Sequence, residues 1–173
     1  MKILLSSILV IFLFFTNQAF SEQKIAFIDL DKVISTSKSG SSILKQLTDL
    51  NNKNLKFLKN EEKKFKEKEV KLINQKNIVS ETDFKNKVNE LKSEIKNYNQ
   101  NRNKMLADFR KLKIDNTNNF LKLINPILVK FSEDKDIAII LQKKDLVVAK
   151  TQLDITEEVI KIVNIEVKEF KIK

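Results

Sequence analysis

The sequence has no cysteine, no histidine and no tryptophan, and only one glycine, Gly40, and one proline, Pro126. Without cysteine there is no disulfide, no thiol nucleophile and no lipid attachment through an N-terminal Cys. Without histidine as well, the usual general base and the usual ligands of a transition-metal site are gone. A lone glycine cannot build a glycine-rich loop that cradles a phosphate. Only carboxylates are left for acid–base work, and the pairs Glu61-Glu62 and Glu157-Glu158 are neighbours in sequence. On a helix, neighbours point about 100° apart, so neither pair is an acid/base couple. Asp29 and Asp31 follow a strand and read either as a cation site or, better, as helix caps. These residues point to no enzyme, no cofactor and no metal.

The first 21 residues read as a secretory signal peptide. Met1-Lys2 is a short positive region, Ile3 to Phe15 is an apolar run, and Ala19-Phe20-Ser21 puts small residues at a cleavage site. The run is short for a membrane span, which takes about 20 apolar residues. An uncleaved anchor is the other reading of it. Cleavage before Glu22 leaves about 150 residues, one domain's worth of chain, outside the inner membrane.

Residues 42–125 read as two long helices folded back on each other. A spacing of seven picks out Leu58, Phe65, Leu72 and Val79, then Phe84, Leu91, Tyr98, Met105 and Leu112, with Val88, Ile95 and Phe109 filling the 3/4 alternation. So narrow a stripe is a coiled-coil seam. An ordinary bundle, the alternative, would want a wider apolar face. Near 79–83 a turn is predicted: Ser80 suits an N-cap, Asp83 a capping-box acid, and Val79 with Phe84 a hydrophobic staple. One helix should stop near Ile78 and the next start at Glu81. The numbers of facing residues then add to 163, pairing Leu72 with Leu91, Phe65 with Tyr98 and Leu58 with Met105. The same register pairs Glu61 with Arg102. Arms of about 40 residues make a prong of roughly 60 Å.

Residues 22–41 and 126–173 form the remaining body. Lys24 to Asp29 is a short strand, Leu30 to Ile34 a helical turn, and Ser35 to Ser41 a polar connection. Phe120, Ile124, Ile127 and Phe131 continue the seam one residue out of step, and Pro126 among them predicts a kink and hinge at the prong's base. Ile137–Leu141 and Leu146–Ala149 read as a strand hairpin across the polar turn 142–145. A closing helix is capped by Asp154 with Glu157 at N3, burying Ile155, Val159, Ile162 or Val163, and Val167. The fold class is α+β, mainly α: a small sheet body with a coiled-coil hairpin inserted between strands. All three strands are apolar on both faces, which one small chain cannot cover. Ile25, Phe27, Ile137, Ile139, Leu141, Leu146 and Val148 are therefore expected to be buried by subunit association.

Of the net charge of +10, nearly all sits on the prong. From Ser41 to Asn125 there are 20 Lys+Arg against 11 Asp+Glu, while the body carries equal numbers of each sign. Balanced charges would suffice for solubility, so a one-signed excess suggests an acidic partner. An exported protein seldom meets nucleic acid, which leaves acidic polypeptide, lipopolysaccharide or anionic lipid. Lys63, Lys64, Lys66, Lys68, Lys85 and Lys87 carry the charge toward the tip. Off the seam, Phe57, Ile73, Ile78, Ile114 and Leu121 are candidate apolar contacts, or incidental surface residues.

In this order and spacing, three segments resemble the Skp/OmpH family of periplasmic chaperones: Lys24-Ile-Ala-Phe-Ile-Asp-Leu-Asp-Lys-Val-Ile34 followed by Ser39-Gly40; Asn125-Pro-Ile127 leading through Phe131 to Ile137–Leu141; and Asp154-Ile-Thr-Glu-Glu-Val-Ile160. Two departures stand out: Ser-Lys-Ser before Gly40, and Lys135-Asp136 where the family usually has a glycine turn. The resemblance implies a homotrimer in the periplasm whose prongs enclose unfolded outer-membrane proteins without ATP. Alternatives are a structural or adaptor coiled coil of the envelope, and a surface binder of lipopolysaccharide or anionic lipid.

Overall fold

In the computed structural model, which describes residues 24–172, the chain runs β1 (Lys24–Ile28), α1 (Leu30–Thr36), α2 (Lys38–Gln75), α3 (Glu81–Asp134), β2 (Ile137–Gln142) and α4 (Thr156–Glu166). The segment read as a signal peptide lies outside the described residues. Two 3₁₀ turns, Lys143–Asp145 and Thr151–Leu153, fill the stretch before α4.

The long helices α2 and α3 pack antiparallel in the expected register. The rings of Phe65 and Tyr98 lie 5.3 Å apart, and Lys68 reaches Glu94 at 2.6 Å. Along the prong the seam residues are the ones withdrawn from water: Leu58 is buried, and Phe65, Leu72, Leu91, Tyr98 and Met105 are half-buried. A pair of helices has nothing else to bury against. The seam charge behaves differently from expectation, because Glu61 takes Lys64 of its own helix at 2.7 Å and the Glu61–Arg102 pair does not form. A partner one turn away costs less side-chain ordering than one across the seam. At the tip α2 ends at Gln75, a little before the expected Ile78. Ser80 caps α3, accepting from the Asp83 N–H at 3.1 Å while its own hydroxyl donates to the Asp83 carboxylate at 2.6 Å.

The core sits at the base, where α2 and α3 meet the chain ends. Ile43 and Leu47 of α2, Phe120, Ile124, Ile127 and Phe131 of α3, Ala26 and Ile28 of β1, Val33 of α1, and Val159, Ile160 and Val163 of α4 form one buried cluster. The shifted seam past Leu112 is thus the face that α3 turns into this core. The helix continues unbroken through Pro126.

Four local expectations are corrected. The polar connection 35–41 is instead a tight helix–helix junction at buried Ser37, which accepts from the Gly40 N–H at 3.3 Å and caps α2. Leu146–Ala149 forms no strand: Val147 and Val148 are 99% and 89% exposed, and a strand needs a neighbour to bond. Strand β2 instead pairs parallel with β1, Ile25 opposite Ile139 and Phe27 opposite Leu141, so the whole helical hairpin is the crossover between them. Asp154 stands one residue outside the cap of α4, its carboxylate accepting from the N–H and hydroxyl of Thr156. Burial pushes the Asp154 carboxyl up, but those two bonds, with Lys143 and Lys32 nearby, leave it below its ordinary range. Asp29 does cap a helix, accepting from the Lys32 N–H at 2.9 Å.

Candidate functional site

The prong and the open face of the sheet are the two surfaces the fold presents. On the prong, Phe57, Ile73, Ile78 and Ile114 are exposed and Leu121 is half-buried. The six lysines near the tip are all exposed, yet four already have partners on the prong. Lys63 faces Glu67 at 3.8 Å, Lys64 faces Glu61, Lys68 faces Glu94, and Lys87 donates to Gln75 at 3.0 Å. Lys66 and Lys85 form no ion pair among the described residues. The Tyr98 hydroxyl locks the arms together midway, bonding the Leu58 carbonyl at 3.3 Å and Glu62 at 3.0 Å. Burial, then the bond to Glu62, raises its pKa above that of an ordinary tyrosine.

The sheet turns Ala26, Ile28 and Ile140 toward the helices. On the other face Ile25, Ile139 and Leu141 are exposed, and Val148 beyond them is almost fully so; Ile137 and Leu146 are half-buried. Phe27 is the exception among the expected assembly residues. It is only 6% exposed, because the segment leading into α4 runs alongside β1, with the Ile155 N–H bonding the Phe27 carbonyl at 3.0 Å. An open cleft of about 620 Å³ adjoins this face, with Ile25, Phe131, Ile137 and Leu153 in its wall and Lys24, Lys135 and Glu158 around it.

Sequence reasoning missed Val147, Leu153, the C-terminal tail and Gln46. Val147 and Leu153 extend the exposed apolar surface. The C-terminal tail also packs on the core through Phe170 and Ile172. Gln46 of α2 grips that tail with both ends of its amide, donating to the Phe170 carbonyl at 3.0 Å and accepting from the Ile172 N–H at 3.2 Å. The period of α2 marks Gln46 as a neighbour of the seam, but nothing local announces its partner.

Among the described residues no three potential ligands gather as a metal site, and no helix is long and apolar enough to cross a membrane. A two-stranded body built from the chain ends, carrying one long exposed helical hairpin, defines a prong-bearing α+β class. Residues 24–163 match the family model described as outer membrane protein (OmpH-like), and the chain belongs to that family. Among solved structures it is similar to a protein from Caulobacter crescentus CB15 assigned as an outer membrane chaperone (OmpH-like). The two share 12% identity and a TM-score of 0.73, with 86% of this chain and 88% of that one covered, a likeness of fold. No curated protein gives a significant match.

Proposed function

We propose that this protein is an ATP-independent periplasmic holdase chaperone. Exported by a cleaved signal peptide, it assembles as a homotrimer whose prongs form a cage around unfolded outer-membrane proteins. The observation that carries the reading is the pairing of OmpH-like family membership with a long basic prong that leaves apolar side chains in water. A holdase needs no chemistry, only a charged surface that gathers the client and apolar patches that compete with its aggregation. Subunit association is supported by Ile25, Ile139, Leu141, Val147 and Val148, apolar side chains left exposed on and beside the open face of the sheet. The hinge at Pro126 belongs to the same proposal: the missing N–H weakens α3 at the base, between the core residues Ile124 and Ile127.

Native mass spectrometry of the mature protein, with and without a urea-unfolded outer-membrane barrel, tests this. A trimer that takes up one barrel is expected. A monomer that takes up none would leave the adaptor or lipid-binding alternatives standing.

A further inference from the structure

The two flanks of the prong are chemically unlike. At about 100° per residue, a position one before or three after a seam residue falls on one flank, and one after or three before falls on the other. The grooves between the arms fix how the flanks of α2 and α3 correspond. One groove is lined by Lys68, Lys71 and Gln75 together with Lys87, Glu90 and Glu94. A second, nearer the base, takes Leu50, Asn101, Lys104 and Asp108. All of these off-seam residues stand one before or three after a seam position, so the two grooves share a flank.

Of the lysines on that grooved flank, only Lys71 lacks a partner among the described residues. Lys68 pairs with Glu94, Lys87 bonds Gln75, and Lys104 pairs with Asp108 at 2.7 Å. The opposite flank carries Leu55, Ile73 and Leu106, and Ile95, expected to fill the seam, stands instead 36% exposed at the seam's edge on this side. It also carries Lys66, Lys92, Arg110 and Lys113, none of which makes an ion pair among the described residues. Its acids near the seam are Glu62, already engaged by Tyr98, Glu69 and, at the tip, Glu81. Along the axis Ile73 and Ile95 lie within about 8 Å of one level and Leu55 and Leu106 within about 3 Å of another, on average about 22 Å toward the base. An extended chain at about 3.3 Å per residue covers that distance in about seven residues.

Resting on the holdase reading, we propose that client capture is confined to this second flank. Its occupant is an extended segment of unfolded polypeptide, apolar at two points about seven residues apart and bearing carboxylates. The apolar pairs receive the two side chains, and the unpaired cations complement the acids. Apart from Lys71, the grooved flank offers lysines already engaged by neighbours.

The test is the affinity of the trimer for a fluorescent urea-unfolded outer-membrane barrel. Three double variants are compared: Ile73→Ser/Ile95→Ser and Lys66→Gln/Lys92→Gln on the open flank, and Lys68→Gln/Lys104→Gln on the grooved one. Every position is exposed, and retained circular dichroism confirms the fold. Each open-flank variant is expected to weaken capture about tenfold, and the grooved-flank variant less than about twofold. Equal losses from the two lysine variants would overturn the flank assignment alone. So would barrel capture that survives in Lys66→Gln/Lys92→Gln while binding to phosphatidylglycerol vesicles is lost. A wild-type trimer that never holds the barrel would instead remove the holdase reading, and this inference with it.

Discussion

Gly40→Ala is the substitution whose cost can be worked most directly from the fold. A methyl group at Gly40 would lie 2.2 Å from the carbonyl oxygen of Ile34, 2.9 Å from its carbon and 2.8 Å from Ser37 Oγ. Two of those atoms are backbone of α1, which is anchored by the Asp29 cap and by fully buried Val33, so the strain cannot relax through a side-chain rotation. On a free helix Gly→Ala gains about 1 kcal/mol in propensity. Against this, overpacking costs about 1–3 kcal/mol, and disturbing the Ser37 cap adds about 1 kcal/mol. Loss should exceed gain by about 1–3 kcal/mol. Urea unfolding followed by circular dichroism measures it, at one fixed protein concentration because assembly is linked to folding. A variant as stable as the wild type, or more so, would refute the close approach of α1 and α2 on which the base of the prong rests.

Three further outcomes follow from single positions. Ile139 is 47% exposed in the single chain, so Ile139→Asp should cost the protomer only about 0.5 kcal/mol. It should nonetheless drop the mass from trimer to monomer in analytical ultracentrifugation; a variant that remains a trimer would remove the sheet face from the interface. Asp136 holds φ 54° between α3 and β2, so Asp136→Gly should raise the free energy of unfolding by about 1 kcal/mol, and a less stable variant would contradict a strained turn there. Pro126→Ala should stabilise α3 by up to about 3 kcal/mol. With the junction stiffer, small barrels should be held as before and large ones less well; equal retention of both would dismiss the hinge.

Much of the prong was legible because its information is local and periodic. The spacing of Leu58, Phe65 and Leu72 defines a stripe, Ser80 with Asp83 marks the turn, and together they imply a register that Phe65 and Tyr98 realise. The body was less legible because its decisive contacts are distant in sequence. Leu146–Ala149 has the composition of a strand, but composition does not supply the neighbour it must bond. Phe27 looked uncovered because its cover comes from the segment around Ile155, more than a hundred residues on. Gly40 could be singled out as the lone glycine, yet the Ile34 carbonyl that requires it emerges only when α1 and α2 are packed. Asp136, standing where the family usually has glycine, does hold the left-handed conformation that a glycine turn serves.

The central claim, that the basic apolar prong holds unfolded outer-membrane proteins, is tested most directly by light scattering. A urea-unfolded barrel is diluted into buffer without nucleotide, with and without the mature protein, at low and at high salt. The account predicts that stoichiometric trimer keeps the barrel soluble, and that suppression is slower to establish at high salt, where exposed charges are screened beyond about 8 Å or less. Aggregation that proceeds at the same rate with and without the protein would contradict it.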